Sequence, residues 1–151
     1  MLRTILSILA VTVMFGSLHA QAPARQPLDH SAYDIWKTLG NQALSNDGAW
    51  LTYRLTLQDG DAELIVHGLR SGAEHLLPRG ERAAFTADAR FVAFIIKPEL
   101  ALVRQAKREK KNRDEQPKDS LGILDLTSGT VTRFDRVKSF QLPEDQSTWL
   151  A

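Results

Sequence analysis

Ten residues that occur twice constrain this chain more than any other feature. Leu44-Ser45-Asn46-Asp47-Gly48-Ala49-Trp50-Leu51-Thr52-Tyr53 returns as Phe85-Thr86-Ala87-Asp88-Ala89-Arg90-Phe91-Val92-Ala93-Phe94, at an offset of 41 from end to end. Ser45 thus meets Thr86, Asp47 meets Asp88, Trp50 meets Phe91 and Tyr53 meets Phe94. Each copy is an apolar residue, a hydroxyl, a turn, and then an aromatic residue opening an apolar run. A hydroxyl that can bond nearby backbone, followed by Asn-Asp-Gly, is turn chemistry, because these residues tolerate positive φ. The β-branched and aromatic run that follows suits a strand.

A second motif repeats behind the first. Leu64-Ile65-Val66-His67-Gly68-Leu69-Arg70-Ser71-Gly72 matches Leu121-Gly122-Ile123-Leu124-Asp125-Leu126-Thr127-Ser128-Gly129. Both are apolar strands that end in a hairpin turn, with glycine where φ must be positive. Fourth strands are expected at Glu74–Leu77 and Thr130–Phe134. Four short strands per unit at a period of about 40–45 residues is the pattern of a β-propeller blade. The expected fold is all-β: a blade at 41–80, a second at 81–136, and the start of a third at 137–151. The third opens at Lys138-Ser139-Phe140-Gln141-Leu142 and runs to Ser147-Thr148-Trp149-Leu150-Ala151. Blades bury their faces only against neighbours, and a closed ring needs about four to eight of them. The chain therefore reads as the amino-terminal piece of a longer protein, or else as a small β-sheet protein with two diverged hairpin repeats.

The second unit carries 16 more residues than the first between its second and third strands, and these fall at 98–117. Pro98 at a helix start, Glu99 in its first turn and Lys110, Lys111 and Arg113 near its end predict a charged helix of three or four turns. From Lys97 to Asp119 there are eight basic and five acidic residues. They form either a solvated face or an arm that meets a subunit, a second domain or an acidic ligand. Ala89 stands where the first unit has Gly48, which predicts a different turn in the second unit.

Ahead of the repeats, Arg3, the apolar run Ile5–Phe15 and Gly16-Ser17-Leu18-His19-Ala20 have the form of a secretory signal peptide cut after Ala20. The alternative is an uncleaved anchor, for which the run is short. With no cysteine, a lipid-modified cysteine and disulfides are both excluded. Residues 21–27 read as a polar leader. Leu28–Leu39 reads as a short helix with Ser31 and Asp34 at capping-box spacing, Ile35, Trp36 and Leu39 on one face, and Gly40 closing it before a first strand at Asn41–Leu44. The expected location is outside the cytoplasm, periplasmic or secreted, without stable membrane insertion. Once Arg3 is removed, 18 basic and 18 acidic residues remain, which argues against a dedicated nucleic-acid binder.

No catalytic, cofactor-binding or metal-binding residue can be assigned. None of the seven serines after the signal peptide lies in Gly-x-Ser-x-Gly. Ser71 and Ser128 read as hairpin-turn residues. His30, His67 and His75 lack metal-ligand spacing. Asp47 and Asp88 occupy equivalent turns and read as turn formers rather than a carboxylate pair. No glycine-rich phosphate loop is present, and no cofactor is expected.

Leu28-Asp29-His30-Ser31-Ala32-Tyr33-Asp34-Ile35-Trp36-Lys37 and the repeat Leu44–Trp50 resemble the beginning of exported bacterial peptidases of the prolyl oligopeptidase family. Pro117-Lys118-Asp119-Ser120-Leu121-Gly122-Ile123 and Val137-Lys138-Ser139-Phe140 resemble the same family. The resemblance covers nearly all of the chain after the signal peptide. It implies an amino-terminal propeller that gates access for oligopeptides to an α/β-hydrolase domain with a Ser-Asp-His triad. The implied partners are the rest of the propeller, that hydrolase domain and oligopeptide substrates. No triad position falls within this sequence, so no catalytic residue carries over. Ser-x-Asp-Gly followed by an aromatic is shared with TolB-like propellers, so the alternative is a non-enzymatic periplasmic propeller acting as a protein-binding scaffold.

Overall fold

The structure, a computed structural model, describes residues 36–143. Two antiparallel four-stranded meanders follow one another. The first contains β1 (Lys37–Leu44), β2 (Trp50–Leu57), β3 (Glu63–Gly68) and β4 (Glu74–Pro78); the second contains β5 (Gly80–Phe85), β6 (Phe91–Ile96), β7 (Ser120–Asp125) and β8 (Val131–Asp135). One helix, α1 (Leu100–Arg108), lies between β6 and β7. The expected fourth strands fall at β4 and β8.

The repeat runs deeper than its visible motifs. In the first sheet the register slips between Gly40 and Ala43 opposite β2, and in the second between Glu81 and Ala84 opposite β6. Both slips hold a residue at positive φ, Asn41 at 52° and Arg82 at 54°, which are again 41 positions apart. Such bulges increase local twist, so the two sheets curve alike.

The expected helix ending at Leu39 is not what forms. Lys37, Thr38 and Leu39 pair with Leu57, Thr56 and Leu55, and Gly40 sits inside the ladder opposite Arg54. Pairing with β2 gives backbone partners to alternate residues of this edge strand and lines them up with a preformed neighbour, which outweighs a weak local helical preference. Trp36 and Leu39 are each 54% exposed and do not share a buried helix face. The remainder of that expected helix, the leader and the signal peptide lie outside the described residues.

The different turn expected at Ala89 is also overturned. Ala89 takes φ 53°, close to 65° at Gly48, and each amide donates to the hydroxyl-bearing residue's carbonyl at 2.9 Å. The hydroxyls impose this geometry. Ser45 Oγ accepts from the Trp50 N–H at 2.9 Å and donates to Asp47 Oδ1 at 2.5 Å. Thr86 Oγ1 accepts from Phe91 at 3.1 Å and donates to Asp88 Oδ1 at 2.6 Å. With the same side-chain and backbone bonds in place, an alanine is held where glycine would sit without strain.

Helix α1 is shorter than expected. Glu99 is its N-cap rather than a first-turn residue, and Lys110, Lys111 and Arg113 lie beyond its end. Lys110 at φ 52° stops it, with the Lys111 amide bonded to the Ala106 carbonyl and the Lys110 amide to Lys107. This is a Schellman closure with lysine where glycine is usual. Residues 137–143 join no ladder among the described residues, and 144–151 lie outside them.

The sheets pack face to face. Leu64, Val66 and Leu77 of the first meet Val92, Phe94, Leu124 and Leu126 of the second, with Trp50, Ala83, Phe85 and Ile96 around them. One glycine makes room between the sheets and another within the second sheet. A Cβ on Gly80 would lie 2.5 Å from Leu64 Cβ, and one on Gly122 would fall 2.8 Å from two ring carbons of Phe94, its cross-strand partner.

Candidate functional site

The two ends of the strands differ in chemistry. One end carries the β1–β2 and β5–β6 turns, where Asp47 and Asp88 spend their carboxylates on hydroxyls and on the amides of Ala49 and Arg90. The hydrogen bond from Ser45, and then the one from the Ala49 amide, hold the Asp47 carboxyl below the usual carboxylate range. Amide bonds from Thr127 and Ser128 do the same to Asp125. A carboxylate so stabilised in its charged form is a poor proton donor or acceptor near neutrality. Ser71 and Ser128 sit in the hairpin turns, each accepting the amide two residues on at 3.2 Å. These residues build turns.

The histidines do not converge on chemistry. His67 Nδ1 stands 3.9 Å from Glu74 Oε1 across adjacent strands, while His75 packs on the Trp50 ring at 5.9 Å between centroids. His30 lies outside the described residues. No group of three or more His, Cys, Asp or Glu among the described residues could hold a metal ion.

The other end, where the chain crosses between sheets, gathers charge. Arg79 makes the crossing alone: its amide donates to Ala62 of the first sheet at 2.7 Å, and its carbonyl accepts from Lys97 of the second at 2.9 Å. Its backbone takes φ 61° to reach both. Arg54 on β2 bonds Glu81 on β5 at 2.6 Å, tying one sheet to the other across their contact. Lys97 reaches Asp119 at 2.7 Å and Glu81 at 3.7 Å. These groups line a cleft of about 420 Å³ together with Leu100 and Val103 of α1 and with Pro98 and Pro117. Arg54 Nε is buried there without a hydrogen-bond partner.

The arm of residues 98–117 is fixed over this cleft from the first sheet. Asp61, in the β2–β3 loop, accepts the Leu100 amide at 2.9 Å and so caps a helix almost forty residues ahead of it. Asp59 pairs with Arg104 at 2.5 Å, and Glu99 pairs with Arg79 at 3.2 Å. Beyond the helix, Arg113 and Lys118 come beside Arg136 and Lys138 around a second, open concavity of about 570 Å³. Reading the sequence for single motifs missed these clusters. The one signal present was Leu77-Pro78-Arg79 recurring as Phe134-Asp135-Arg136, in step with Leu69 and Leu126.

No protein-family profile matches this chain, and no curated protein matches its sequence. Solved structures do. Acylaminoacyl peptidase from Pyrococcus horikoshii superposes with TM-score 0.57 at 11% identity, over 79% of this chain and 17% of that one. An acylaminoacyl peptidase in complex with Z-Gly-Gly-Phe-chloromethyl ketone gives 0.53 at 13% identity, over 76% and 16%. The chain folds as two blades of a β-propeller. The β-propeller domain of the Trilobed protease from Pyrococcus furiosus overlaps 70% of this chain and 30% of its own at 15% identity, but its TM-score of 0.49 is too loose a superposition to add weight. The chain spans 16% to 30% of the length of these structures, and at such identities the likeness is one of fold.

Proposed function

We propose that these blades belong to the propeller of an exported serine peptidase that hydrolyses oligopeptides. In this reading they wall the chamber through which substrate reaches an α/β-hydrolase domain. The observation that carries it is the paired blade geometry, in which two bulged four-strand meanders are joined by a single left-handed residue and superpose on acylaminoacyl peptidases. The resemblance of Leu28–Lys37 and Pro117–Ile123 to the exported prolyl oligopeptidase family, and the signal-peptide form of residues 1–20, point the same way. The division of labour has a physical basis, since enclosing the reaction excludes large substrates and bulk water. Ser45, Ser71 and Ser128 spend their hydroxyls on turn amides, and in this reading the nucleophile belongs to the hydrolase domain.

The test begins with the gene. Reading in frame past the codon for Ala151 should give further blades and then alternating β and α elements with a Gly-x-Ser-x-Gly turn. The product should label with a fluorophosphonate and cleave short peptides while sparing folded proteins. A frame that closes after more blades without that turn would sink the peptidase reading in favour of a scaffold.

A further inference from the structure

Aspartate followed by glycine occurs twice in this sequence, at Asp47-Gly48 and at Asp59-Gly60. The pair has a chemistry of its own. With no side chain on the second residue, its amide nitrogen can reach the aspartate γ-carbon and close a five-membered succinimide. In that step an N–C bond forms, and the carboxyl hydroxyl leaves as water with the amide proton. Water then opens the ring at the former main-chain carbonyl, which leaves the side-chain carbon in the main chain as isoaspartate. No oxidant or cofactor enters. The rate depends on how freely the carboxyl and the next amide can meet.

The fold treats the two pairs differently. In the β1–β2 turn both reacting groups are engaged. Asp47 Oδ1 accepts from Ser45 Oγ at 2.5 Å and from the Ala49 amide at 3.0 Å, while the Gly48 amide donates to the Ser45 carbonyl at 2.9 Å. The first two bonds also favour the charged form of the Asp47 carboxyl, and a carboxylate is a poor electrophile. Asp59 lies in the loop between β2 and β3, with its side chain 66% exposed. Its carboxylate pairs with Arg104 at 2.5 Å, but a pair so open to water is worth little and parts readily. The Gly60 amide donates to no backbone carbonyl among the described residues.

We propose that Asp59 is a site of spontaneous isomerisation, and that its conversion to isoaspartate loosens the arm from the first sheet. Isoaspartate lengthens the main chain by one carbon and leaves the carboxylate on the α-carbon. The carboxylate then no longer reaches Arg104 in the same way. Asp61, two residues on, is displaced with the loop, and it is the group that caps α1 through the Leu100 amide at 2.9 Å. One modified residue thus weakens two of the arm's attachments together and leaves the pair between Glu99 and Arg79. The proposal is independent of the peptidase reading.

The experiment ages the product of the complete gene in warm, mildly acidic buffer and maps isoaspartate by peptide mass spectrometry, with fragmentation that separates the two isomers. In the folded protein Asp59 should convert about tenfold faster than Asp47, since each hydrogen bond that must break first is worth up to about that factor. In concentrated urea, where both segments are free, the two rates should converge. Amide exchange at Leu100 should quicken in step with the isoaspartate content of the folded sample. Asp59→Glu keeps a carboxylate opposite Arg104 but cannot form the five-membered ring. That variant should show no product at the position and should keep Leu100 protected through ageing. Equal conversion of Asp47 and Asp59 in the folded protein overturns the proposal, as does an absence of product at Asp59. So does isoaspartate at Asp59 with Leu100 still as protected as in the glutamate variant, because the arm would then be held without this loop.

Discussion

At the scale of single residues, the turns show how a few hydrogen bonds dictate backbone shape. Ser45 and Thr86 each tie the start of a turn to the strand that follows, and Asp47 and Asp88 fill its centre. Ala89 is the misfit, held at φ 53°. Ala89→Gly should therefore stabilise the fold by about 0.5 kcal/mol, since relief of left-handed strain, about 1–2 kcal/mol, exceeds the entropy glycine adds to the unfolded chain. Gly48→Ala should do the reverse, and urea denaturation would read both. The lowered carboxyls of Asp47 and Asp125 give a further expectation. A folded pKa below the unfolded one means stability that is fully present above about pH 4 and lost as pH falls through the folded value. Midpoints of thermal unfolding should drop in that acid window, and Asp47→Asn with Asp125→Asn should flatten the drop. An unchanged acid profile in that pair would show that other carboxyls govern it.

At the scale of elements, strands and arm are held by different means. The arm's own sequence does not cap its helix, because Glu99 makes no side-chain cap bond and Asp61 supplies the acceptor from the other sheet. Asp61→Ala should cost about 0.5–2 kcal/mol locally, as loss of a cap does, and should speed amide exchange at Leu100 while leaving the β6–β7 ladder protected. Equal exchange in variant and parent would mean that Asp59–Arg104 and Glu99–Arg79 suffice. In the second sheet, Phe94 lies over Gly122 where the strands pair. Gly122→Val would drive a branched side chain into that ring and should cost about 1–3 kcal/mol by overpacking. A thermal melt would show whether it does.

At the scale of the whole molecule, the contact between the sheets is the main store of stability. Phe94 is 1% exposed, and Leu64, Val66 and Val92 are as deeply buried. Phe94→Ala should cost about 3–5 kcal/mol. Because both sheets share that interface, their ladders should melt in one transition, as amide exchange followed through unfolding would reveal. Two separate transitions would mean that each meander is stable alone. The crossing residues Arg79 and Gly80 serve the same contact, one by its left-handed backbone and the other by lacking a side chain.

Much of this was legible beforehand and some of it could not be. The repeat Leu44–Tyr53 against Phe85–Phe94 determined the strand order and the four-strand unit, because turn chemistry and short apolar runs act between neighbours in sequence. The stretch Trp36–Gly40 misled, since its helical spacing is a weak local preference and the β2 strand offered Lys37–Gly40 partners in register. The left-handed Ala89 was hidden because composition at one position says little about a turn held by its neighbours' side chains. The Arg54–Glu81 fastening, the Asp61 cap and the gathering of Arg113, Lys118, Arg136 and Lys138 were beyond reach for a different reason. They join residues whose proximity exists only once two sheets have packed and the arm has folded back. Local chemistry determined the blades; long-range packing decided which charges meet, because electrostatic and capping contacts follow distance in space.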